Sequence, residues 1–260
     1  MKLNIVPART GATWVRNGIR TFFRQPLALA GLFFMFMMAV SFLGLVPVLG
    51  AVLALSLLPA ATLGLMAATA EADRGKFPMP ALLIAGFRAS PERRRSLIVL
   101  GGIYAASVVA ILLASGLVDG GGFAKLYMAG GKIDAQTVNA PGFQTAVWFT
   151  VVLYMPLSML FWHAPALVYW HGVTPLKSLF FSFIACWSSW RAYLVFGLAW
   201  VMVLFLGFLV LVVLASLDQA IALNAAVPLA LLMSSMFFSS IYFTYRDSFS
   251  QETPHEQAPS

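Results

Sequence analysis

The sequence predicts an all-α polytopic membrane protein with six transmembrane helices, and two observations support this fold class. First, 61% of the 260 residues are hydrophobic and only 10% are charged, a composition far from that of water-soluble domains. Second, six apolar windows contain no Asp, Glu, Lys or Arg. A charged side chain at the centre of a spanning helix costs roughly 2.5 to 3.5 kcal/mol, so windows without charge indicate helices that cross a membrane.

The six predicted spans cover residues 27–46, 48–70, 96–117, 146–170, 192–217 and 225–245. At about 1.5 Å per residue, each can cross a hydrocarbon core of about 30 Å. The first apolar run is too long for a cleaved secretory signal and has no small-residue cleavage site after it, so we expect this span to stay in the protein. Residues 1–250 are predicted to form a single integral membrane domain, and residues 251–260 a flexible cytoplasmic tail.

The basic residues lie almost entirely on one side of the predicted membrane. The N-terminal segment, the loops after the second and fourth spans and the C-terminal tail hold every Lys and Arg except Lys125 and Lys132. Because basic loops stay in the cytoplasm, both termini are predicted to be cytoplasmic. Compact loops and small size favour a bacterial inner membrane, with the mitochondrial inner membrane as the alternative. The single cysteine, Cys186, allows no intramolecular disulfide and is expected to be a small buried residue.

The stretch WVRNGIRTFFRQP predicts an amphipathic helix on the cytoplasmic membrane surface. At 100° per residue, its polar face carries Arg16, Arg20 and Arg24. Its apolar face carries Val15, Gly18, Ile19 and Phe22, and Gly11, just before the stretch, lies on the same face. We expect the arginines to bind anionic lipid headgroups, or a partner, while the apolar face enters the acyl boundary. Pro26 ends this helix and begins the first span, because proline suits the first turn of a helix. Arginines that only set the topology are the alternative.

The same arrangement recurs before the third and fifth spans. PALLIAGFRASPERRR predicts a short apolar helix from Pro80, a break at Pro91 and a basic cluster. That cluster, predicted to bind lipid headgroups or a partner, is Arg93, Arg94 and Arg95. TPLKSLFFSFIACWSSWR predicts a helix with Thr174 as its N-cap and Pro175 as its first residue. The chain therefore predicts three cytoplasmic interfacial amphipathic helices, each followed by a transmembrane hairpin, in a threefold repeat.

The stretches VPARTGATWVRNGIRTFFRQPLALAGLFF and LVPVLGAVLALSLLPAATLGLMAA, with the basic loop that contains PALLIAGFR, resemble a family of uncharacterised proteobacterial six-span inner-membrane proteins. The resemblance is close over the first two spans and the basic loop, and rests on pattern beyond them. It implies architecture and location, and it brings no substrate and no catalytic residues to this chain.

The sequence contains no recognisable catalytic arrangement. No span holds a carboxylate, and Asp119, Asp134 and Asp218 lie in separate stretches without motif spacing. A P-loop, a zinc-protease pair and a Gly-x-Ser-x-Gly pattern are all lacking. We therefore predict a protein that is not an enzyme, with no catalytic residues, no cofactor and no metal.

The fourth span carries the candidate intramembrane site. Met155, Met159 and His163 are spaced by four residues and lie on one helical stripe between Pro156 and Pro165. Thioether and imidazole groups suit Cu(I), and the prolines could expose backbone carbonyls to a cavity. Methionines, however, commonly fill gaps between helices, and a lone histidine commonly bonds to a neighbouring helix. The packing interpretation is preferred.

Two functions fit these observations. The first is a noncatalytic membrane protein that engages anionic lipid, a membrane-protein partner or a second copy of the chain, as a scaffold or in envelope homeostasis. No nucleic-acid partner is expected. The second is a small transporter or channel for an apolar or lipid-like substrate, with a pathway along spans 2 and 4, which Pro59 and Pro165 are expected to break. The first is favoured, because transport of polar solutes usually leaves charge inside the membrane.

Overall fold

A computed structural model of the protein describes residues 2–130 and 135–250 and confirms an all-α polytopic fold. The helices are α1 (Thr10–Arg24), α2 (Pro26–Gly44), α3 (Leu49–Asp73), α4 (Pro91–Asp119), α5 (Gly122–Ala129), α6 (Ala135–Val138), α7 (Phe143–Phe161), α8 (Ala164–His171), α9 (Pro175–Ser188), α10 (Trp190–Leu217) and α11 (Gln219–Ser248). The predicted tail, residues 251–260, lies outside the described residues, as do Lys132 and Asp134.

Six helical stretches are long and apolar enough to cross a membrane: α2, α3, α4, α7 with α8, α10 and α11. These confirm the six predicted spans, and several helices continue beyond the charge-free windows. α4, for example, begins at Pro91 and includes Glu92 in its first turn. Helical hydrogen bonding continues into the headgroup region, where charged side chains stay solvated, so a hydropathy window marks the apolar core of a helix rather than its ends.

The prolines act differently from one span to the next. Pro59 lies inside the continuous helix α3, so the prediction that it breaks the second span is wrong. Pro156 likewise lies inside α7. Loss of one backbone hydrogen bond bends a helix without ending it when the surrounding turns are kept. The fourth span is interrupted, as predicted, between Phe161 and Ala164, just before Pro165.

Two of the three predicted surface helices are α-helices. α1 covers the arginine-rich stretch, and α9 begins at Pro175 as predicted. The third is wrong as an amphipathic α-helix, because Pro80–Ile84 forms only a short 3₁₀ helix that is followed by turns. Gly86 and the proline that begins α4 come too soon after it for longer helical pairing to build up. The three hairpins of the predicted repeat therefore do not begin with equivalent elements.

The described residues fall into two compact units. Unit 1 comprises Met1–Met35, Gly64–Ala85 and Ile184–Ser260, and unit 2 comprises Phe36–Leu63 and Gly86–Phe183. In unit 1, α1 packs across α10 and α11. In the same unit, strand β1 (Lys2–Leu3) pairs antiparallel with strand β2 (Phe249–Ser250), a contact the sequence did not predict. In unit 2, α4 packs on α7 and α8 around a core that includes Leu63, Leu100, Leu112, Phe161 and Val168.

Candidate functional site

The apolar face of α1 is covered by protein rather than by acyl chains. Trp14, Val15 and Phe22 are at most 5% exposed. The Trp14 indole stacks at a tilt on Tyr193, with 5.3 Å between ring centroids, and its Nε1–H donates to Asp247 Oδ2 at 3.0 Å. This differs from the expectation that the face enters the acyl boundary. The amphipathic pattern identifies an apolar face but does not identify what covers it.

Two glycines allow α1 to approach its neighbours closely. A Cβ atom added to Gly18 would lie 2.5 Å from Cβ and 2.6 Å from Cα of Ser240 on α11. A Cβ atom added to Gly11 would lie 2.7 Å from the backbone nitrogen of Phe196 on α10. Small residues spaced along one helical face commonly mark helix–helix contacts in membranes. This spacing in the sequence is the signal that could have identified the packed face.

The C-terminal end of α1 is held by Asp73, at the end of α3. Arg24 Nη1 donates to the backbone oxygen of Asp73 at 3.0 Å and lies 3.5 Å from its carboxylate. Arg246 from α11 donates to the same carboxylate at 3.2 Å. Thr21 also donates to it, at 3.5 Å. Arg24, one of the three arginines of α1 predicted to bind headgroups, therefore has an acidic protein partner.

Arg16 and Arg20 have a different environment. Both side chains are exposed, and neither forms an ion pair or hydrogen bond with any residue in the described parts of the chain. Together they line a groove of about 530 Å³ between α1 and α10. Its other lining residues are apolar: Ala12, Val15, Ile19, Ala199, Met202 and Val203. The groove thus combines two cations with an apolar wall.

The groove meets α10 some way along that helix. Gly11 contacts α10 at Ala192 and Phe196, near its start, whereas the α10 residues of the groove are Ala199, Met202 and Val203. Met202 is ten residues beyond Ala192, or about 15 Å along a helix. The two arginines of α1 therefore line the same groove as apolar residues within a spanning helix. A phospholipid likewise carries its charge next to hydrocarbon.

Arg93, Arg94 and Arg95 are the third to fifth residues of α4 in unit 2, and all three are exposed. The Arg93 guanidinium lies beside Gly172, the residue that ends α8, at 3.9 Å from the point where a Cβ would be. Basic side chains in the first turn of a helix oppose its dipole, so these residues contribute little to the stability of α4. They do not line the groove.

The predicted stripe of Met155, Met159 and His163 is interrupted because α7 ends at Phe161 and α8 begins at Ala164. Met155 is 65% exposed, whereas His163 is fully buried. The two ends of the stripe therefore lie in different surroundings. Within the described ranges, no group of three or more His, Cys, Asp and Glu residues lies close enough together to hold a metal ion.

At the break between α7 and α8, a serine from α9 forms hydrogen bonds with the backbone on both sides. Ser182 Oγ accepts a hydrogen bond from the backbone N–H of His163 at 2.9 Å and donates one to the backbone oxygen of Met159 at 2.7 Å. In an unbroken helix these two backbone groups would bond to each other. The hydroxyl thus replaces the missing helical bond and satisfies both groups.

Comparison with known proteins finds a relative named as a probable inner membrane protein, from Burkholderia thailandensis strain E264. It is 40% identical to this chain over 262 residues, an alignment that covers 98% of this chain and 96% of the relative. No family profile matches the chain. No solved structure matches it either.

Proposed function

This chain belongs to a family of proteobacterial inner-membrane proteins, and we propose that it binds an anionic phospholipid of that membrane in the groove between α1 and α10. The protein then acts without catalysis, as a lipid-engaging scaffold or in envelope homeostasis. The distribution of basic residues predicts that α1, with its arginines, lies at the cytoplasmic leaflet, where anionic lipid gives the surface a negative potential.

One observation carries the proposal: Arg16 and Arg20 stand side by side on α1 without an acidic partner among the described residues, above an apolar wall. Residues four apart on a helix are neighbours on its surface. Their guanidinium groups can donate paired hydrogen bonds to phosphate oxygens. The wall formed by Ala199, Met202 and Val203 then receives an acyl chain.

The arginines determine the preference among lipids, because every phospholipid offers acyl chains to the apolar wall. Each arginine contributes about 1 kcal/mol near an anionic leaflet. Two of them give about 2 kcal/mol, or a preference of roughly 30-fold for an anionic over a zwitterionic lipid. Arg24 contributes less to this preference, since its charge is already compensated by Asp73.

The alternative function, a transporter or channel for an apolar or lipid-like substrate, relied on breaks in spans 2 and 4. α3 is continuous through Pro59, and the interruption in the fourth span is filled by the Ser182 hydroxyl. These observations give no support to a pathway along those helices. A membrane-protein partner or a second copy of the chain that uses the same arginines is an outcome of the following test.

The test uses the full-length protein in nanodiscs that contain phosphatidylglycerol and phosphatidylcholine, with bound lipid counted by native mass spectrometry. The double variant Arg16→Gln/Arg20→Gln should lose most of the preference for phosphatidylglycerol, roughly 30-fold. The matched control Arg9→Gln/Arg191→Gln removes the same charge from exposed positions of unit 1 that do not line the groove. It should lower the preference clearly less, because neither side chain lies beside the apolar wall that receives the acyl chain.

Three results would contradict the proposal. Equal losses in the two double variants would mean that only net charge matters. An unchanged preference in Arg16→Gln/Arg20→Gln would mean that the groove binds no headgroup. A change in oligomeric state without a change in bound lipid would assign the arginines to a protein interface instead.

A further inference from the structure

Unit 2 contains a second cavity, between α4, α5 and α7, whose chemistry differs from that of the α1 groove. We propose that this cavity binds one neutral single-chain amphiphile, in which a hydroxyl or carbonyl group is attached to a hydrocarbon chain. The proposal is independent of the lipid site on α1, because it depends on other helices and on uncharged residues.

The cavity has a volume of about 360 Å³, near the lower limit of about 300–1,000 Å³ for small-molecule pockets. It is lined by Val108, Ile111, Leu112, Tyr127, Thr150, Val151, Tyr154, Met155 and Ser158. Met155 is 65% exposed and Tyr154 is 40% exposed, so the cavity opens sideways on the outer surface of α7, where lipid surrounds a spanning helix. From Thr150 to Ser158 it follows α7 for eight residues, or about 12 Å. These dimensions suit one hydrocarbon chain.

A buried hydroxyl in the lining lacks a hydrogen-bond partner. Thr150 Oγ1 is inaccessible and forms no hydrogen bond within the described parts of the chain. A threonine in a helix usually bonds back to its own helix, as Thr62 does to the oxygen of Leu58 at 2.9 Å. An unsatisfied hydroxyl away from water costs about 1–3 kcal/mol. A ligand that brings a hydroxyl or carbonyl group to Thr150 would remove that cost.

A second polar point lies close by. The hydroxyls of Tyr104 and Tyr154 are 2.7 Å apart, and Tyr154 lines the cavity. One of the two oxygens donates to the other, so the pair retains one O–H to donate and lone pairs to accept. A ligand hydroxyl can therefore accept from one neighbour and donate to another. A plain hydrocarbon can do neither.

The cavity selects for a neutral ligand because none of its lining residues is charged. Burial, followed by the nearby Tyr154, raises the pKa of Tyr127 on α5, so this phenol stays uncharged as well. A carboxylate or phosphate placed here would lose its hydration without gaining a cation. The same reasoning predicts that the α1 groove prefers an anionic ligand, because Arg16 and Arg20 line it.

The experiment uses the full-length protein in detergent and a dodecanol analogue that carries a photoreactive diazirine. After irradiation, mass spectrometry should locate the crosslink on the α7 segment that includes Val151 and Met155. Unlabelled dodecanol should compete with the probe at least five-fold more strongly than dodecane or dodecanoate, because only dodecanol is both neutral and able to form a hydrogen bond.

Two variants test the site itself. Thr150→Val keeps the shape and removes the hydroxyl, so competition by dodecanol should weaken about five-fold, while competition by dodecane should not change. Its matched control, Thr62→Val, removes a hydroxyl that already has a partner outside the cavity lining and should leave both competitors unaffected. Ile111→Trp should fill the cavity and abolish the crosslink.

Each of the following results would overturn the proposal: crosslinks that map to other helices, equal competition by dodecanol and dodecane, or a Thr150→Val protein that binds dodecanol as tightly as the parent. Stronger competition by dodecanoate than by dodecanol would also overturn it, since that result requires a cation in the cavity.

Discussion

Replacing Gly18 by alanine should separate α1 from α11 and destabilise unit 1. The added Cβ would lie 2.5, 2.6 and 2.8 Å from Cβ, Cα and the backbone nitrogen of Ser240. Carbon atoms in ordinary contact are about 3.5–4.0 Å apart. Two of these three atoms belong to the backbone of α11, so no rotation of a side chain can relieve the overlap. α1 has to move away by about 1 Å.

The size of the effect follows from two opposing contributions. Alanine is better than glycine inside a helix by about 0.8–1.0 kcal/mol. Overpacking typically costs about 1–3 kcal/mol, and here it also loosens the buried contacts of Trp14 and Phe22, which are at most 1% exposed. The cost of overpacking therefore exceeds the gain in helix propensity, and we expect the free energy of unfolding to fall by about 1–2 kcal/mol. For a chain of this length that corresponds to a fall in Tm of about 2–8 °C.

Gly31→Ala is the matched control, because nothing lies within 4 Å of a Cβ added to Gly31 in the helix α2. This variant gains helix propensity without a clash, so its Tm should be unchanged or a few degrees higher. Both proteins are melted in the same detergent, and the loss of the monodisperse peak is followed by fluorescence-detected size exclusion. If Gly18→Ala melts at or above the parent, α1 does not pack on α11 as described.

Three further predictions concern other parts of the chain. Ser182→Ala should lower Tm by about 2–8 °C, because the backbone groups of His163 and Met159 lose their hydrogen-bond partner. Ser178→Ala loses only a bond within α9 and should change Tm less. Equal shifts in the two variants would argue against the hydrogen bonds of Ser182 to α7 and α8. Cys186 should resist alkylation at pH 8, since burial raises its pKa to about 12. At that pH only about one molecule in ten thousand then carries the reactive thiolate. The alkylation rate should rise about tenfold per pH unit up to the pKa, and a plateau near pH 9 would contradict this. In a Cys186→Ser background, Lys125→Cys should react with an impermeant maleimide on intact cells and Ser90→Cys only after lysis; the reverse pattern would invert the predicted topology.

The spans were predictable because their cause is local. A charge anywhere in the core of a spanning helix is costly, so absence of charge over a window is informative without knowledge of neighbours. The start of α9 at Pro175 was predictable for a similar reason, since proline is preorganised for the first helical position. Both features depend on residues within one segment.

The features of the fold that the sequence did not predict depend on contacts between distant segments. Three prolines lie in spans 2 and 4, at positions 59, 156 and 165, and only the last accompanies an interruption. Its backbone groups are satisfied by Ser182, which is 19 residues from His163, and no local rule identifies that partner. The pairing of β1 with β2 likewise joins segments that are more than 240 residues apart.

The candidate site, like the fold, could be predicted only in part from the sequence. Arg16 and Arg20 were predicted from their spacing on one polar face, and the structure adds the wall of the groove from α10. That wall lies almost 190 residues further along the chain, so periodicity within α1 could not reveal it. Thr150, Tyr104 and Tyr154 carry no sequence signal, because isolated hydroxyl groups are common in spanning helices, where they usually contribute to packing.

The contact between Trp14 and Asp247 joins residues 233 positions apart, and this separation has a consequence for biosynthesis. At a synthesis rate of about 5–20 residues per second, α1 emerges about 12–47 s before its partner on α11 exists. Until α10 has been made, the apolar face of α1 has no protein to cover it, and until α11 follows, that face is covered only in part. A chain that stops before α11 would leave the face partly exposed, and an exposed apolar surface is what chaperones and proteases recognise. We therefore expect the docking of the first helix to be completed only after α11 has been made.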